Sequence, residues 1–139
     1  MADRPAGELK ALVYSDDAHR RRGMIDLLGP YPSTDLARVE YVECASEPAA
    51  IRLVDSGAFD LVILDGDAVP AGGMGICRQI KDEVDPCPPV LLVVGRPADA
   101  WLATWSQAEA VAPWPLDPLE FPNTVATLLR RRVASPVQA

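Results

Sequence analysis

The sequence lacks any long apolar run and contains few cysteines. No stretch approaches the roughly 20 apolar residues that a membrane-spanning helix needs, and residues 1–10 form no apolar signal region. The three cysteines, Cys44, Cys77 and Cys87, show neither CxxC nor CxxH spacing, so they predict no disulfide framework and no zinc site. We therefore expect a soluble, cytoplasmic protein without direct membrane insertion.

Positive charge is also scarce. Thirteen Lys and Arg residues stand against 20 Asp and Glu, which gives a formal net charge of -7 and argues against nucleic acid as a partner. Two runs of arginine, residues 20–22 and 130–132, are interpreted as solvated helix ends. The length of 139 residues and the 49% apolar content are typical of one globular domain. We expect that domain over residues 9–132, between tails at 1–8 and 133–139.

Short apolar runs recur along the chain and predict buried strands. They cover residues 11–14, 61–64 and 90–94, and weaker strand patterns cover 39–44 and 110–112. A helical pattern follows each strand, such as the one over residues 18–28 with Asp17 as its N-cap. This alternation of five strands and five helices predicts an α/β fold with a doubly wound parallel sheet and helices on both faces.

Two of the predicted strands end on aspartates. Asp16 and Asp17 follow the first strand, and Asp65 and Asp67 follow the third. Carboxyl ends of parallel strands meet at the sheet edge where ligands bind. Carboxylates that converge there repel each other unless one is protonated or a cation joins them, and Mg²⁺ prefers such oxygen ligands. The alternative, which stays open, is that all four are loop and cap residues that never converge.

Four segments resemble the successive motifs of response-regulator receiver domains, the chemotaxis-regulator-like family. They are LVYSDD at 12–17, DLVILD at 60–65, PVLLVV at 89–94 and Trp114-Pro115. The resemblance covers about residues 9–132 and implies a flavodoxin-like, five-stranded parallel sheet of order 2-1-3-4-5 with five helices. It also implies two-component signalling in which Asp65 accepts a phosphoryl group.

The resemblance further implies a weak Mg²⁺ site. Its ligands would be Asp16, Asp65 and the backbone carbonyl of Asp67, with Asp17 nearby. A cis peptide bond before Pro115 is implied by the same resemblance.

Several positions depart from the pattern of that family. Ser15 stands where the family usually has an acid, and Val94 stands where it has the Thr or Ser that bonds the phosphoryl group. Val111 replaces the aromatic switch residue, and Trp114 replaces the lysine that contacts the phosphoryl oxygens. A charge-assisted contact of that kind is worth roughly 1.5–3 kcal/mol. These degenerate positions predict an atypical receiver whose phosphate readout is damaged.

All three tryptophans lie between residues 101 and 114. Trp101 and Trp105 share one helical face, and both could pack on the sheet. Because other apolar residues of that short helix can fill this role, we expect at least one ring to stay partly exposed. Tryptophan is enriched at binding hot spots, and the resembled family makes partner and dimer contacts through its fourth helix, fifth strand and fifth helix. We therefore expect Trp101, Trp105 and Trp114 to mark a surface for a protein partner, with a sensor kinase or a homodimer as candidates.

Three functions remain open. The favoured one is a stand-alone, non-enzymatic receiver that acts through protein contacts, with Mg²⁺-dependent phosphorylation of Asp65. The second is a docking module or accessory subunit of a larger complex that is never phosphorylated. The third is a haloacid-dehalogenase-like phosphohydrolase, because residues 64–69 fit D-x-D-x-[TV] with Asp65 as nucleophile and Asp67 as general acid/base. That motif is short, and the later strands offer neither the acid nor the lysine that such enzymes need.

Overall fold

Five strands and five helices alternate along the part of the chain that the structure describes. The computed structural model describes residues 8–68 and 72–134. The strands are β1 (Glu8–Tyr14), β2 (Arg38–Cys44), β3 (Leu61–Asp65), β4 (Val90–Val94) and β5 (Ala110–Pro113). The helices are α1 (Ala18–Leu28), α2 (Glu47–Asp55), α3 (Gly73–Glu83), α4 (Trp101–Ser106) and α5 (Glu120–Ala134). A 3₁₀ turn, Pro97–Ala100, precedes α4.

The strands form one parallel sheet in the order β2-β1-β3-β4-β5, which confirms the predicted fold class and strand order. β3 lies at the centre, and all five of its residues are buried. Its register pairs Ala11 with Leu61 on one side and Asp65 with Val93 on the other. β2 lies at an edge and has a partly exposed pattern, as its mixed sequence predicts.

Apolar side chains leave the sheet on both faces because successive strand residues point in opposite directions. The layer beneath α1 and α5 receives Ala11, Val13, Leu61, Ile63, Leu91 and Val93. The layer beneath α2 and α3 receives Leu12, Tyr14, Val62, Leu64, Leu92 and Val94. This double coverage explains why β3 and β4 are apolar almost throughout. No helix among the described residues is long and apolar enough to cross a membrane.

The ends of α1 and α5 show how local capping fixes the helices. α1 begins at Ala18, as predicted, and the Asp17 carboxylate accepts a hydrogen bond of 2.8 Å from the His19 N–H. α5 begins at Glu120, three residues after Asp117. The Asp117 carboxylate accepts from the Leu119 and Glu120 N–H groups at 2.8 and 2.9 Å.

Two X-Pro bonds among the described residues are cis, Asp85–Pro86 and Trp114–Pro115. The family resemblance led us to expect the second, and nothing in the sequence had indicated the first. The Trp114–Pro115 bond directly follows β5, at the same edge of the sheet as Asp65.

Candidate functional site

Asp65 ends β3 at the carboxyl edge of the sheet and is 1% exposed. Each of its carboxylate oxygens already accepts a hydrogen bond. Oδ2 accepts from the Ser15 hydroxyl at 2.8 Å, and Oδ1 accepts from the Asp67 backbone N–H at 2.9 Å. Ser15, which stands where an acid was expected, is itself buried. It therefore gives Asp65 a neutral donor and adds no second negative charge.

Arg20 supplies the cation of this site. Its Nη1 donates to Asp65 Oδ1 at 2.8 Å and lies 3.6 Å from Asp67 Oδ2. The Asp17 cap fixes the start of α1 and so places Arg20 in the first turn, beside the ends of β1 and β3. The interpretation of residues 20–22 as a solvated helix end is therefore wrong for Arg20, whose long side chain reaches the buried carboxylate.

The other two arginines of the run tie α1 to the end of β2. Arg21 donates to the Ser15 carbonyl at 2.6 Å and to the Glu43 carboxylate at 2.9 Å. Arg22 donates to the same carboxylate at 3.1 Å. The helix start is thus held against the sheet edge on the side away from Asp65.

The Trp114 ring lies against the Arg20 guanidinium. The Arg20 Cζ atom is 4.4 Å from the centroid of the Trp114 ring, within the range of a cation–π contact. Trp114 packs against the core layer beneath α1 and α5, and its backbone N–H donates to the Val94 carbonyl at 2.7 Å. The residue that replaces the expected lysine therefore binds an arginine that sequence analysis had placed in solvent. One indication was available in the sequence. The arginine run begins three residues after Asp17, and the chain lacks the expected lysine.

Two glycines allow the chain to pass close to Asp65 and Asp67. A Cβ at Gly73, which opens α3, would lie 2.7 Å from the Asp65 carbonyl oxygen. A Cβ at Gly95, directly after β4, would overlap the Asp67 carboxylate. Close backbone approach thus explains why glycine suits position 73, at the start of α3.

The predicted Mg²⁺ ligands are only partly brought together. Asp65 and Asp67 share Arg20, whereas Asp16 and Asp17 are exposed and Asp17 caps α1. Among the described residues, no group of three or more His, Cys, Asp and Glu side chains is arranged to hold a metal ion. Mg²⁺ requires several oxygen ligands, but a guanidinium already contacts Asp65. The residues as arranged do not fit the ion, and the Mg²⁺ site remains a prediction.

The remaining switch positions carry side chains that cannot bond a phosphoryl group. Val94 is buried and Val111 is half-buried, and both pack in the layer beneath α2 and α3. Arg96, which lies two residues after β4, pairs with Asp99 at 3.0 Å. For the hydrolase alternative, Val69 of the motif lies outside the described residues, and that alternative stays untested.

Trp101 and Trp105 form a separate feature on α4. They are 64% and 49% exposed, so the expectation of at least one exposed ring is confirmed. The Arg78 guanidinium carbon lies 5.3 Å from the Trp105 ring centroid, and its Nη1 donates to the Trp105 carbonyl at 2.7 Å. Trp114 is half-buried, so it differs from the two α4 rings in what it offers a partner.

Comparison with known proteins gives the family. No protein-family model matches the chain. The chain is 51% identical over 122 residues to an uncharacterised response regulatory protein of Mycobacterium tuberculosis, covering 88% of this chain and 92% of that relative.

Solved structures show the same fold. A signal receiver domain from Vibrio parahaemolyticus superposes with a TM-score of 0.74 at 17% identity, covering 94% of this chain and 96% of that one. A chemotaxis response regulator of Vibrio cholerae gives a TM-score of 0.69 at 17% identity, with coverage of 87% and 98%. Together with the β2-β1-β3-β4-β5 sheet, these findings show that the chain belongs to the response-regulator family and has the fold of its receiver domains.

Proposed function

We propose that this protein is an atypical receiver that acts through protein–protein contacts and not as an enzyme. The observation that carries the proposal is the ion pair of 2.8 Å between Arg20 and Asp65. The carboxylate that would accept a phosphoryl group is buried, and both its oxygens already accept hydrogen bonds. Partners within the chain therefore occupy both carboxylate oxygens of Asp65.

Asp65 is the candidate phosphoacceptor. Phosphorylation would require one carboxylate oxygen to attack phosphorus while the leaving group of the donor departs, and the donor must approach past Arg20. The positions that read the phosphoryl group in the resembled family hold Val94, Val111 and Trp114. Loss of one preorganised donor costs on the order of 10²–10³ in rate, so modification is slow and its readout is damaged.

The candidate contact surface consists of α4, β5 and α5, with the exposed rings of Trp101 and Trp105 at its α4 side. Exposed tryptophans are costly to leave in water and are the side chains most enriched in binding hot spots. Because the phosphate-reading positions are degenerate, this surface binds its protein partner constitutively. The formal net charge of -7 argues against nucleic acid as the partner.

Quantitative capture with the tagged protein tests this proposal. Trp101→Ala and Trp105→Ala should lose the partner, whereas Asp65→Asn should retain it. Tyr31→Ala removes another exposed aromatic ring, from the loop after α1, and serves as the matched control. Circular dichroism establishes that each variant is folded. Loss of binding in Asp65→Asn alone would instead support phosphate-dependent signalling, and unchanged binding in both tryptophan variants would place the contact surface elsewhere.

Two further measurements separate the candidate roles. Incubation with a small phosphodonor and Mg²⁺, followed by intact mass, should show an adduct that depends on Asp65 if the protein is still phosphorylated. Complete absence of the adduct, with partner binding intact, supports a docking module or accessory subunit. Gel filtration of wild type and Trp101→Ala tests whether the partner is a second copy of this chain, and binding to a sensor kinase tests the other candidate.

A further inference from the structure

We propose that Arg20 is a built-in cation of the Asp65 site, which takes the place of a divalent metal and must be displaced before one can bind. This inference deepens the proposed function at the same site and rests on it only for the assignment of Asp65 as candidate phosphoacceptor.

Arg20 balances the negative charge of two carboxylates. The guanidinium Nη1 lies 2.8 Å from Asp65 Oδ1 and 3.6 Å from Asp67 Oδ2, so one cation serves both carboxylates. Two carboxylates near each other repel unless a cation joins them. Arg20 supplies that cation from within the chain, and its planar guanidinium matches the geometry of carboxylate oxygens.

The Arg20 side chain is also held in position. Arg20 is held at both ends, since Asp17 caps the helix turn that carries its backbone and the Trp114 ring stacks on its guanidinium at 4.4 Å. Trp114 is fixed in turn by its N–H bond to the Val94 carbonyl and by its packing on the core. A long side chain that is already ordered loses less conformational freedom when it pairs with Asp65.

Ser15 and Trp114, which differ from the residues of the resembled family, both suit an internal cation. Ser15 removes one negative charge from the edge, and Trp114 removes the expected lysine while offering a ring to an arginine. Both changes suit a site that contains one internal cation. A divalent ion bound to Asp65 would lie beside the Arg20 guanidinium, and the two positive charges would repel each other.

The consequence is a link between Asp65 and Trp114. Any cation that binds Asp65 must move Arg20, and this movement removes the guanidinium from the face of the Trp114 ring. Trp114 therefore reports on the occupancy of the Asp65 site, and it does so directly after β5, within the candidate contact surface.

Titration of the protein with MgCl₂ tests this inference, at constant ionic strength and followed by calorimetry and by tryptophan fluorescence. Arg20→Gln should bind Mg²⁺ at least about tenfold more tightly than wild type, the change that corresponds to one pKa unit of electrostatic interaction. Arg22→Gln is the matched control, because it removes the same charge from the same helix at a side chain that is 60% exposed and pairs with Glu43. Its Mg²⁺ affinity should equal that of wild type. The double variant Arg20→Gln/Asp65→Asn should lose the gain.

Equal affinity in wild type and Arg20→Gln, or no binding in either, would overturn the inference. If Arg20→Gln does not fold, a measurement on wild type replaces it, in which the NMR signal of the Arg20 Nε–H is followed during the titration. Mg²⁺ binding that shifts this signal supports displacement, whereas binding that leaves it unmoved shows that the two cations coexist and overturns the inference. Neither result changes the capture experiment with Trp101→Ala, so the failure of one proposal is distinguishable from the failure of the other.

Discussion

The Arg20 guanidinium carbon lies 4.4 Å from the centroid of the Trp114 ring. The two residues are 94 positions apart in the sequence, and their contact joins α1 to the end of β5. Tryptophan at the end of β5 leaves no ammonium group for a phosphoryl group to contact, but it provides a flat face for the arginine that neutralises Asp65. The loss of the family lysine is thus accompanied by a different cation from α1.

Replacing Trp114 by the lysine of the resembled family is expected to destabilise this protein. In Trp114→Lys the ammonium group would lie beside the Arg20 guanidinium, and the cation–π contact, worth about 0.5–2 kcal/mol, would be lost. We expect the free energy of unfolding to fall by about 1–3 kcal/mol in urea titrations.

The control for this prediction is Trp101→Lys, at a ring that is 64% exposed, which should change stability little. The double variant Arg20→Gln/Trp114→Lys should lose less stability than the sum of the two single losses, because the two changes are coupled through one contact. A Trp114→Lys protein as stable as wild type would show that the stacking contributes nothing.

Asp65→Asn is also expected to destabilise the fold. From the sequence, with four aspartates at one edge, removal of a negative charge predicts stabilisation through relief of repulsion. The structure reverses that sign, because Asp65 is buried and paired with Arg20 at 2.8 Å. We expect a loss of about 1–3 kcal/mol, the usual cost of removing one partner of a buried charged hydrogen bond.

Asp67→Asn is the matched control for this second prediction. The Asp67 side chain is 46% exposed and lies 3.6 Å from the same guanidinium. Exposed ion pairs contribute about 0–1 kcal/mol, so urea unfolding of Asp67→Asn should remain close to wild type. An Asp65→Asn protein more stable than wild type would restore the interpretation based on repulsion.

Much of this architecture could be predicted from the sequence. The apolar run that ends in Asp65 fixed the central strand and placed its carboxylate at the carboxyl edge, because such a run is buried and a carboxylate is costly to bury without a partner. Capping fixed the start of α1 at Ala18 for equally local reasons.

The partners of the site could not be predicted in the same way. Periodicity tells which face of a helix is apolar, but Arg20 is polar and its side chain is long enough to reach from a solvated turn to a buried acid. Whether it does so depends on where Trp114 and Asp65 lie in three dimensions. The same limit applied to the second arginine run, residues 130–132, which sequence analysis also interpreted as solvated.

Arg132 provides the third prediction. Its Nε lies 3.4 Å from Oδ1 of Asp60, which is buried just before β3 and whose Oδ2 accepts a hydrogen bond of 2.9 Å from the Lys10 N–H. Arg132→Ala should lower the free energy of unfolding by about 1–3 kcal/mol, because it removes a cation from beside a buried carboxylate. Arg131→Ala, at an exposed neighbour on the same helix, is the control and should have little effect. Equally small losses of stability in the two variants would show that Arg132, like Arg131, is a solvated helix residue.

The last prediction concerns Cys77, which lies on α3 against the sheet. Burial raises the pKa of its thiol to about 11, from an ordinary value of 9.0, and its Sγ donates to the Ser106 carbonyl at 3.2 Å. In the folded protein the thiol therefore keeps its proton at a pH where the unfolded chain has lost it. Unfolding then releases a proton, and the stabilisation that is fully present below about pH 9 is lost as the pH rises toward 11.

Urea titrations of wild type and Cys77→Ala across this pH range measure the effect as a difference. Burial also raises the pKa of the Cys44 and Cys87 thiols, so both proteins lose stability at high pH, but their difference isolates Cys77. The stability of wild type relative to Cys77→Ala should be constant below about pH 9 and decline above it. A flat difference up to pH 11 would mean that the folded state does not protect the Cys77 proton, since only a pKa that differs between the two states makes their relative stability depend on pH.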